Sequence, residues 1–432
     1  MSEYPSYTAY ASLWNKSFPS HWRVLPMYAL AKEKSICGCV DWPLLSVYLD
    51  DGVIPFSAKA EKRTNVTSKD LSKYQRVDCG DFVLNNQQAW RGSVGISFDT
   101  GIVSPAYIVL SMNDMLNSRY ANYLLRSRIM VDQYLINSKS VGSIQRNIYW
   151  PALKRTSVPV PPREEQDQIV RFLDWKVSSI NRLINIKQEQ LRKVKELLDR
   201  LFRDTTSKCS KKVKIKYLFE LDDDFFVPDA SESYTKAGMY NRGRGIFLRE
   251  PCLGNELGDS QFQHIHSDRL MLSGQFAWED AVYITQEKDT HGIASHRYYL
   301  LKPVRYIPVE YLWLYFLSGE GFFNLQQCSH GSAGRNRPLN IKEVLNLELP
   351  VPDDKEKANA LNELVRDYMR LQVITEEEKK VLLDFKTHLV ADIVTGKIDV
   401  RGIEIPEYEF VDEDTDADNE DDGEEDAEEQ ED

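Results

Sequence analysis

The sequence predicts an α+β fold: two tandem sheet-containing domains, each followed by a long helix, related by a pseudo-two-fold axis. Three observations carry this expectation. The chain of 432 residues repeats itself once, at an offset of 191. Short β-branched and aromatic runs lie between Gly, Asn and Asp turns in each copy. Each copy then closes on a proline-led stretch that opens a long helical seam.

The repeat is direct. Gly101, Ile102, Ser104, Tyr107 and Leu110 reappear as Gly292, Ile293, Ser295, Tyr298 and Leu301. Ordinary composition gives such matches only about once in 15 to 20 positions. In the same register Tyr120 maps to Tyr311, Arg146 to Arg337, Pro159-Val160-Pro161 to Pro350-Val351-Pro352, and Lys195 to Lys386. A period this long marks a duplicated domain, because solenoid units are only roughly 20–50 residues.

Each copy opens with a short amphipathic piece, Trp22 to Leu30 in the first and Val213 to Leu221 in the second. Strand-like runs follow at Asp81–Leu84, Gly101–Leu110, Gln275–Thr285 and His296–Leu301, with helices expected over Tyr120–Val131 and Glu310–Leu317. Val158-Pro159-Val160-Pro161-Pro162 must be extended, since proline fixes its own φ and pushes its predecessor out of the helical region. A helix starts at Arg163-Glu164-Glu165-Gln166, with acids facing the positive end of its dipole.

The apolar seam of that helix runs through Ile169, Leu173, Val177, Ile180, Ile184, Leu191, Val194, Leu198 and Leu201. It spans roughly 50 Å at 1.5 Å per residue. The second seam runs through Leu361, Val365, Tyr368, Leu382, Phe385 and Leu389 and stops near Gly396, with polar Thr375 and Glu378 in its middle. Seams this long and narrow suit a coiled coil, and the nearest partner for each helix is its own duplicate.

Composition is that of an ordinary soluble protein, 42% apolar and 28% charged. The longest strongly apolar run, Tyr311–Leu317, is too short to cross a bilayer, so no membrane partner is expected. Neither a basic leader nor a continuous apolar stretch stands at the N-terminus, so no signal peptide is expected. The six cysteines form no framework and read as reduced thiols of a cytoplasmic protein. The net charge of −13 is local: 15 of the last 21 residues are Asp or Glu, which leaves 52 acids against 54 bases elsewhere. Such a tail is expected to be disordered, either a solubilising terminus or a polyanion competing with nucleic acid.

Several motifs carry binding chemistry. Gln87, Gln88 and Arg91, around Trp90, combine amides suited to adenine with a guanidinium suited to guanine or phosphate. Gly142 to Asn147, with Ser143, Gln145, Arg146 and Asn147, and Gly331 to Arg337, with Ser332, Arg335, Asn336 and Arg337, both place glycines, hydroxyls and arginines before the long helix. Small residues let backbone amides approach phosphate, and arginines clamp it. Lys208, Lys211, Lys212, Lys214 and Lys216 form a basic cluster that reads as a solvated linker or a phosphate contact. His264 and His266 lack the spacing of a zinc motif, Cys37-Gly38-Cys39 reads as packing, and Asp222-Asp223-Asp224 reads as an exposed turn, so no metal is expected. No dinucleotide fingerprint or P-loop occurs. Pro161-Pro162 lacks the Asn or Asp before it and the aromatic after it that mark adenine methyltransferases.

At these residues the chain resembles the specificity subunit of type I restriction-modification systems. The resemblance rests on Val158–Gln166 opening a long helix, and on the ending Leu389-Val390-Ala391-Asp392-Ile393-Val394-Thr395-Gly396-Lys397-Ile398-Asp399-Val400-Arg401. Pro19-Ser20-His21-Trp22 and Gly142–Ile148 add to it, and it covers everything except the acidic tail. The departures are the polar middle of the second helix and Pro352-Asp353 in place of a Pro-Pro pair, where Asp can cap the helix instead.

The resemblance implies target-recognition domains at 1–160 and 206–350, spacer helices at 161–205 and 351–396, and a C-terminal extension with the acidic tail at 397–432. It further implies that the two helices pair as an antiparallel coiled coil and that each domain reads half of a gapped DNA sequence. The subunit would be non-catalytic and without a cofactor of its own. It would dock two methyltransferase subunits, which use S-adenosylmethionine on adenine, and the restriction subunits, which use ATP and Mg. Half-sites one to one and a half turns apart, at about 34–36 Å per turn, suit a spacer of this length. The rival readings are a fused methyltransferase or nuclease and a scaffold without DNA specificity.

Overall fold

In the computed structural model of the chain, the described residues are 3–10, 15, 17–49, 51–58, 70–141, 145–207, 209–241, 243–258, 260–305, 307–331, 337–352 and 355–412. The chain forms two compact units, residues 1–185 with 379–432 (unit 1) and residues 186–378 (unit 2). The acidic tail beyond Asp412 lies outside the described residues.

Unit 1 is organised on a four-stranded antiparallel sheet in the order Ala31–Lys34, Tyr107–Met112, Phe82–Asn85, Val94–Ile96. Side chains alternate between its faces, so Phe82, Leu84 and Leu110 enter the main core while Val83 and Val109 join a second cluster with Val77 and Val103. Both faces are therefore apolar, which explains the unbroken run Phe82-Val83-Leu84. The proline-led stretch Ser157–Val160 pairs antiparallel with Arg23–Pro26.

Helices α1 (Ser118–Arg126) and α2 (Arg128–Ile136) follow the sheet, and α3 (Trp150–Leu153) leads towards α4 (Arg163–Thr206). The single helix expected over Tyr120–Val131 is thus two. Ser127 breaks it in an extended conformation (φ −62°, ψ 148°), and its hydroxyl donates to the Leu124 carbonyl at 2.6 Å. A serine that bonds back to the preceding turn competes with helix propagation, and no proline announces the break.

Unit 2 repeats the plan. Its sheet runs Phe219–Leu221, Tyr298–Pro303, Leu270–Ser273, Val282–Ile284, and Lys211–Lys214 pairs with Glu348–Val351. Helices α5 (Val309–Leu317) and α6 (Gly319–Gln327) break at Ser318, whose hydroxyl donates to the Tyr315 carbonyl at 2.6 Å. Helix α7 (Ile341–Asn346) precedes α8 (Lys355–Val394).

The long helices contribute to both cores. In unit 1, Ile169, Phe172 and Leu173 of α4 share a core with Leu389, Ile393 and Val394 of α8, and the Lys386 ammonium lies 3.5 Å from the Asn181 amide oxygen. In unit 2, Leu198 and Phe202 share a core with Leu361, Val365, Tyr368 and Met369, and Lys187 meets Glu378 at 2.5 Å. Ile180 and Ile184 are buried, and Val177, Leu191, Val194, Leu201 and Leu382 are half-buried. Of the polar residues in the middle of the second seam, Thr375 is buried and Glu378 is exposed. Phe385, expected on that seam, is 51% exposed. The stripe passes instead through half-buried Lys386, one turn before buried Leu389 and half-buried Val390.

Gly396 terminates α8 in a left-handed conformation (φ +74°). Its N–H donates to Ile393 and that of Lys397 to Asp392, the paired bonds of a Schellman cap. Beyond it the chain runs along α4 of the same unit as an extended strap. The Gln168 amide donates to the carbonyls of Val400 and Ile403, the Ser178 hydroxyl to Glu409 and the Asn181 amide to Val411. Side chains spaced along one helix face thus saturate a backbone that forms no sheet.

One contact recurs with its signs exchanged. In unit 1, Arg119 of α1 pairs with buried Asp174 of α4 at 3.2 Å, and the Tyr123 hydroxyl also donates to Asp174 at 2.9 Å. In unit 2, buried Glu310 of α5, which aligns with Arg119, pairs with Arg366 of α8 at 2.5 Å. Burial raises the Asp174 carboxyl above its usual range, against the pull of Tyr123 and Arg119. Arg119→Glu and Arg366→Glu should each place two carboxylates face to face. Each should lower stability by about 1–2 kcal/mol, a figure reduced because both arginines are half exposed. Alanine at either site should cost less, and denaturant midpoints at low and high salt would separate the two effects.

Candidate nucleic-acid interface

In unit 1 the strand Phe82–Asn85 runs into a tight turn whose geometry is set by its own polar groups. The Asn85 side chain accepts from the Gln87 N–H at 3.1 Å, and a 3-10 turn over Ala89–Arg91 follows, pinned by buried Ala89. Gly92 closes the turn at φ +111°, a left-handed conformation that suits glycine. The Trp90 indole N–H donates to the Gln87 carbonyl at 2.9 Å, which fixes the plane of the ring. Gln87 and Arg91 are exposed, and Gln88 and Trp90 are half-buried.

The glycine motif meets this turn. Ser138–Val141 and Gln145–Ile148 form an antiparallel hairpin, tied to the body by the Ile148 N–H, which donates to the backbone and side-chain oxygens of Asn86. The guanidinium of Arg146 lies over the Trp90 ring at 5.9 Å, and that of Arg91 lies over the same ring at 4.9 Å. Asn147 is half-buried, and its amide oxygen has no hydrogen-bond partner among the described residues. Lys139 sits over Tyr149 at 3.6 Å, adding a further cation to the hairpin. Ser143 lies outside the described residues, and Gln145 is described in its backbone alone.

Unit 2 builds the same arrangement. After Leu270–Ser273 comes a 3-10 turn over Ala277–Glu279, closed by Asp280 at φ +64°. The Trp278 indole N–H donates to the Gln275 carbonyl at 2.9 Å, and Arg337 lies over the Trp278 ring at 4.8 Å. The Leu339 N–H donates to the Gly274 carbonyl, the counterpart of the Ile148 tie. Ser332, Arg335 and Asn336 lie outside the described residues. Trp278 went unnoticed in the sequence because a single offset of 191 misaligns it. Gln87-Gln88-Ala89-Trp90 recurs as Gln275-Phe276-Ala277-Trp278, three residues out of register.

The turns differ in charge. Arg91 of unit 1 is replaced by Glu279, which accepts from the Asn241 amide at 2.5 Å. Asp280 receives Lys195 of α4 at 3.1 Å, and burial raises its carboxyl despite that partner. Elsewhere in unit 2, His264 and His266 both contact one oxygen of Asp224, at 3.1 and 3.0 Å, which holds that carboxyl below its usual range. Among the described residues no helix is long and apolar enough to cross a membrane.

Each unit thus carries an arginine over a tryptophan beside a polar turn, half-buried Arg146 in unit 1 and exposed Arg337 in unit 2. Residues 35–193, which include the whole Trp90–Arg146 arrangement, match the family model described as the type I restriction modification DNA specificity domain. Over those residues the chain is similar to the type I restriction modification DNA specificity family. The fold is shared by a chain from a structure of complex assembly and conformational transition of the type I R-M system, at 14% identity and a TM-score of 0.55, covering 88% of this chain and 99% of that one. The HsdS subunit from Thermoanaerobacter tengcongensis matches at 13% identity and a TM-score of 0.40, over 88% of this chain and 98% of that one. The type I restriction-modification S subunit from M. genitalium matches at 13% and 0.40, over 86% and 96%.

Proposed function

We propose that this chain is the DNA-recognition subunit of a type I restriction-modification complex, each unit reading one half of a gapped target. The observation that carries the reading is the recurrence, in both units, of an arginine over a tryptophan at the end of a polar turn, Arg146 half-buried and Arg337 exposed. One chain thereby offers two equivalent grips to one duplex. In this reading the chain is non-catalytic. It docks two methyltransferase subunits, where S-adenosylmethionine is used, and restriction subunits, where ATP and Mg are used.

The long helices pair antiparallel in this proposal and set the gap. Support comes from contacts inside each unit. In unit 1, Ile169 and Leu173 share a core with Ile393 and Val394 while Asn181 meets Lys386. In unit 2, Lys187 meets Glu378 while Leu198 and Phe202 share a core with Leu361 and Val365, so in each unit residue number rises on α4 as it falls on α8. Docking is supported by apolar side chains left exposed on the same helices, Leu183, Val381 and Phe385 in unit 1 and Ile186, Leu197 and Ile374 in unit 2. Exposed apolar stripes on a helix are the usual seat of another helix.

The test is to assemble the chain with its methyltransferase subunits, map the methylated adenines, and measure affinity for matched and random duplexes. A split motif with a fixed gap is expected, and a complex that binds both duplexes equally would overturn the reading. Arg146→Ala and Arg337→Ala should each weaken binding to all sequences alike and reduce the salt slope by about one. A loss confined to one base position would make the residue a base reader instead.

A further inference from the structure

We infer that Trp90 and Trp278 are positioning residues of the DNA interface, each holding the guanidinium of Arg146 or Arg337 ready for a DNA phosphodiester. The inference rests on the proposed DNA-recognition function and adds the means by which the grip is prepared.

The two sites share what the task requires and differ elsewhere. Each indole is locked by an N–H bond of 2.9 Å to the carbonyl three residues earlier. Each follows a buried alanine and precedes a residue in left-handed conformation, so the 3-10 turn fixes the ring against rotation. Each ring carries an arginine from a distant segment, Arg146 from a hairpin 56 positions on and Arg337 from a loop 59 positions on, and Trp90 carries neighbouring Arg91 as well. Between the units Gln88 becomes Phe276, Arg91 becomes Glu279 and Gly92 becomes Asp280. Within this pair of copies, then, the glutamine, alanine, tryptophan and seated arginine persist while their neighbours change charge and size.

An arginine on an exposed hairpin samples many rotamers and gives up that freedom when it grips a phosphate. Attraction to an indole face removes part of the freedom in advance and leaves guanidinium N–H donors available for the phosphate. Ordering a rotamer-rich side chain on binding costs enough that its pre-ordering is worth about three- to tenfold in affinity. Lysine cannot substitute, because an ammonium lacks the planar face that stacks. A ring that only pinned the hairpin to the body would affect stability and leave this distinction unmade.

The experiment is a double-mutant cycle in the assembled complex with its methyltransferase subunits, using fluorescent matched and random duplexes. Trp90→Ala should weaken binding to both duplexes about three- to tenfold, and Trp90→Phe should restore most of the loss. Arg146→Lys should behave like Trp90→Ala, although its charge is kept. Trp90→Ala with Arg146→Ala should be no weaker than Arg146→Ala alone. The same pattern is expected of Trp278 with Arg337. Thermal midpoints identify any variant that has lost its fold, and Trp90→Phe, which keeps the packing, then carries the comparison with Arg146→Lys. Additive losses, an unchanged affinity for Trp90→Ala, or an effect on one base position alone would overturn the inference while leaving the recognition function standing. Failure of the unaltered complex to distinguish or bind either duplex would instead remove that function, and the inference with it.

Discussion

Replacing Glu165 by alanine should cost unit 1 on the order of 3–5 kcal/mol, the penalty for stripping a buried charged acceptor of its partners. The carboxylate is 5% exposed and sits in the first turn of α4. One oxygen accepts from the Tyr4 hydroxyl at 2.6 Å and the Trp22 indole N–H at 2.9 Å, and the other contacts His21 Nε2 at 2.7 Å. Burial, followed by the bond to Glu165, raises the Tyr4 hydroxyl well above its ordinary value, so it stays a donor. Arg401 lies over the Tyr4 ring at 4.9 Å, and the network therefore joins Tyr4 and the segment after α8 to the start of α4. Alanine leaves two buried donors without an acceptor. For a unit of this size the loss corresponds to a fall of roughly 10 °C in its melting temperature. Glu165→Gln, which keeps one acceptor, should fall between. Equal midpoints for Glu165→Ala and the unaltered chain would show that the three bonds contribute nothing.

The second large effect concerns the proposed ruler. Four residues inserted between Asn185 and Ile186, with four more between Glu378 and Lys379, should lengthen both helices by about 6 Å. That is close to two base pairs at 3.4 Å each. A complex carrying these insertions should abandon its original target and methylate one with a longer gap. One half-site would otherwise be out of place, and each misplaced base pair costs about 1–3 kcal/mol, so original-site methylation should fall at least a hundredfold. Mapping methylated adenines in cells is the measurement, and an unchanged gap would remove the helices as its determinant.

Much of the fold was legible because it depends on periodicity. Short β-branched and aromatic runs between turn residues gave the sheets, prolines gave the entry to α4, and Gly396 gave its duplicate's end. What escaped notice depends on single hydrogen bonds or on a slipped register. Ser127 breaks a helix through its own hydroxyl, and no composition rule separates it from a serine that does not. Phe385 and Lys386 are adjacent, and which one faces inward turns on where the helix is locally phased. The strap along α4 escaped notice although its Ile398, Val400, Ile403 and Ile405 pack on the core of unit 1, because the side chains that bond its backbone, Gln168, Ser178 and Asn181, lie more than 200 positions away. In the interface, Arg146 and Trp90 were each singled out, yet only three dimensions place one over the other. Trp278 was hidden by a three-residue deletion between copies.

The sign exchange between Arg119–Asp174 and Glu310–Arg366 has a bearing on how such chains can be rebuilt. A recognition module transplanted to the opposite rod would confront its own polarity, arginine against arginine or acid against acid. In the proposed reading, a module moved to the other long helix should therefore be moved together with its matching helix residue. Natural recombination within one gene would meet the same lock and key.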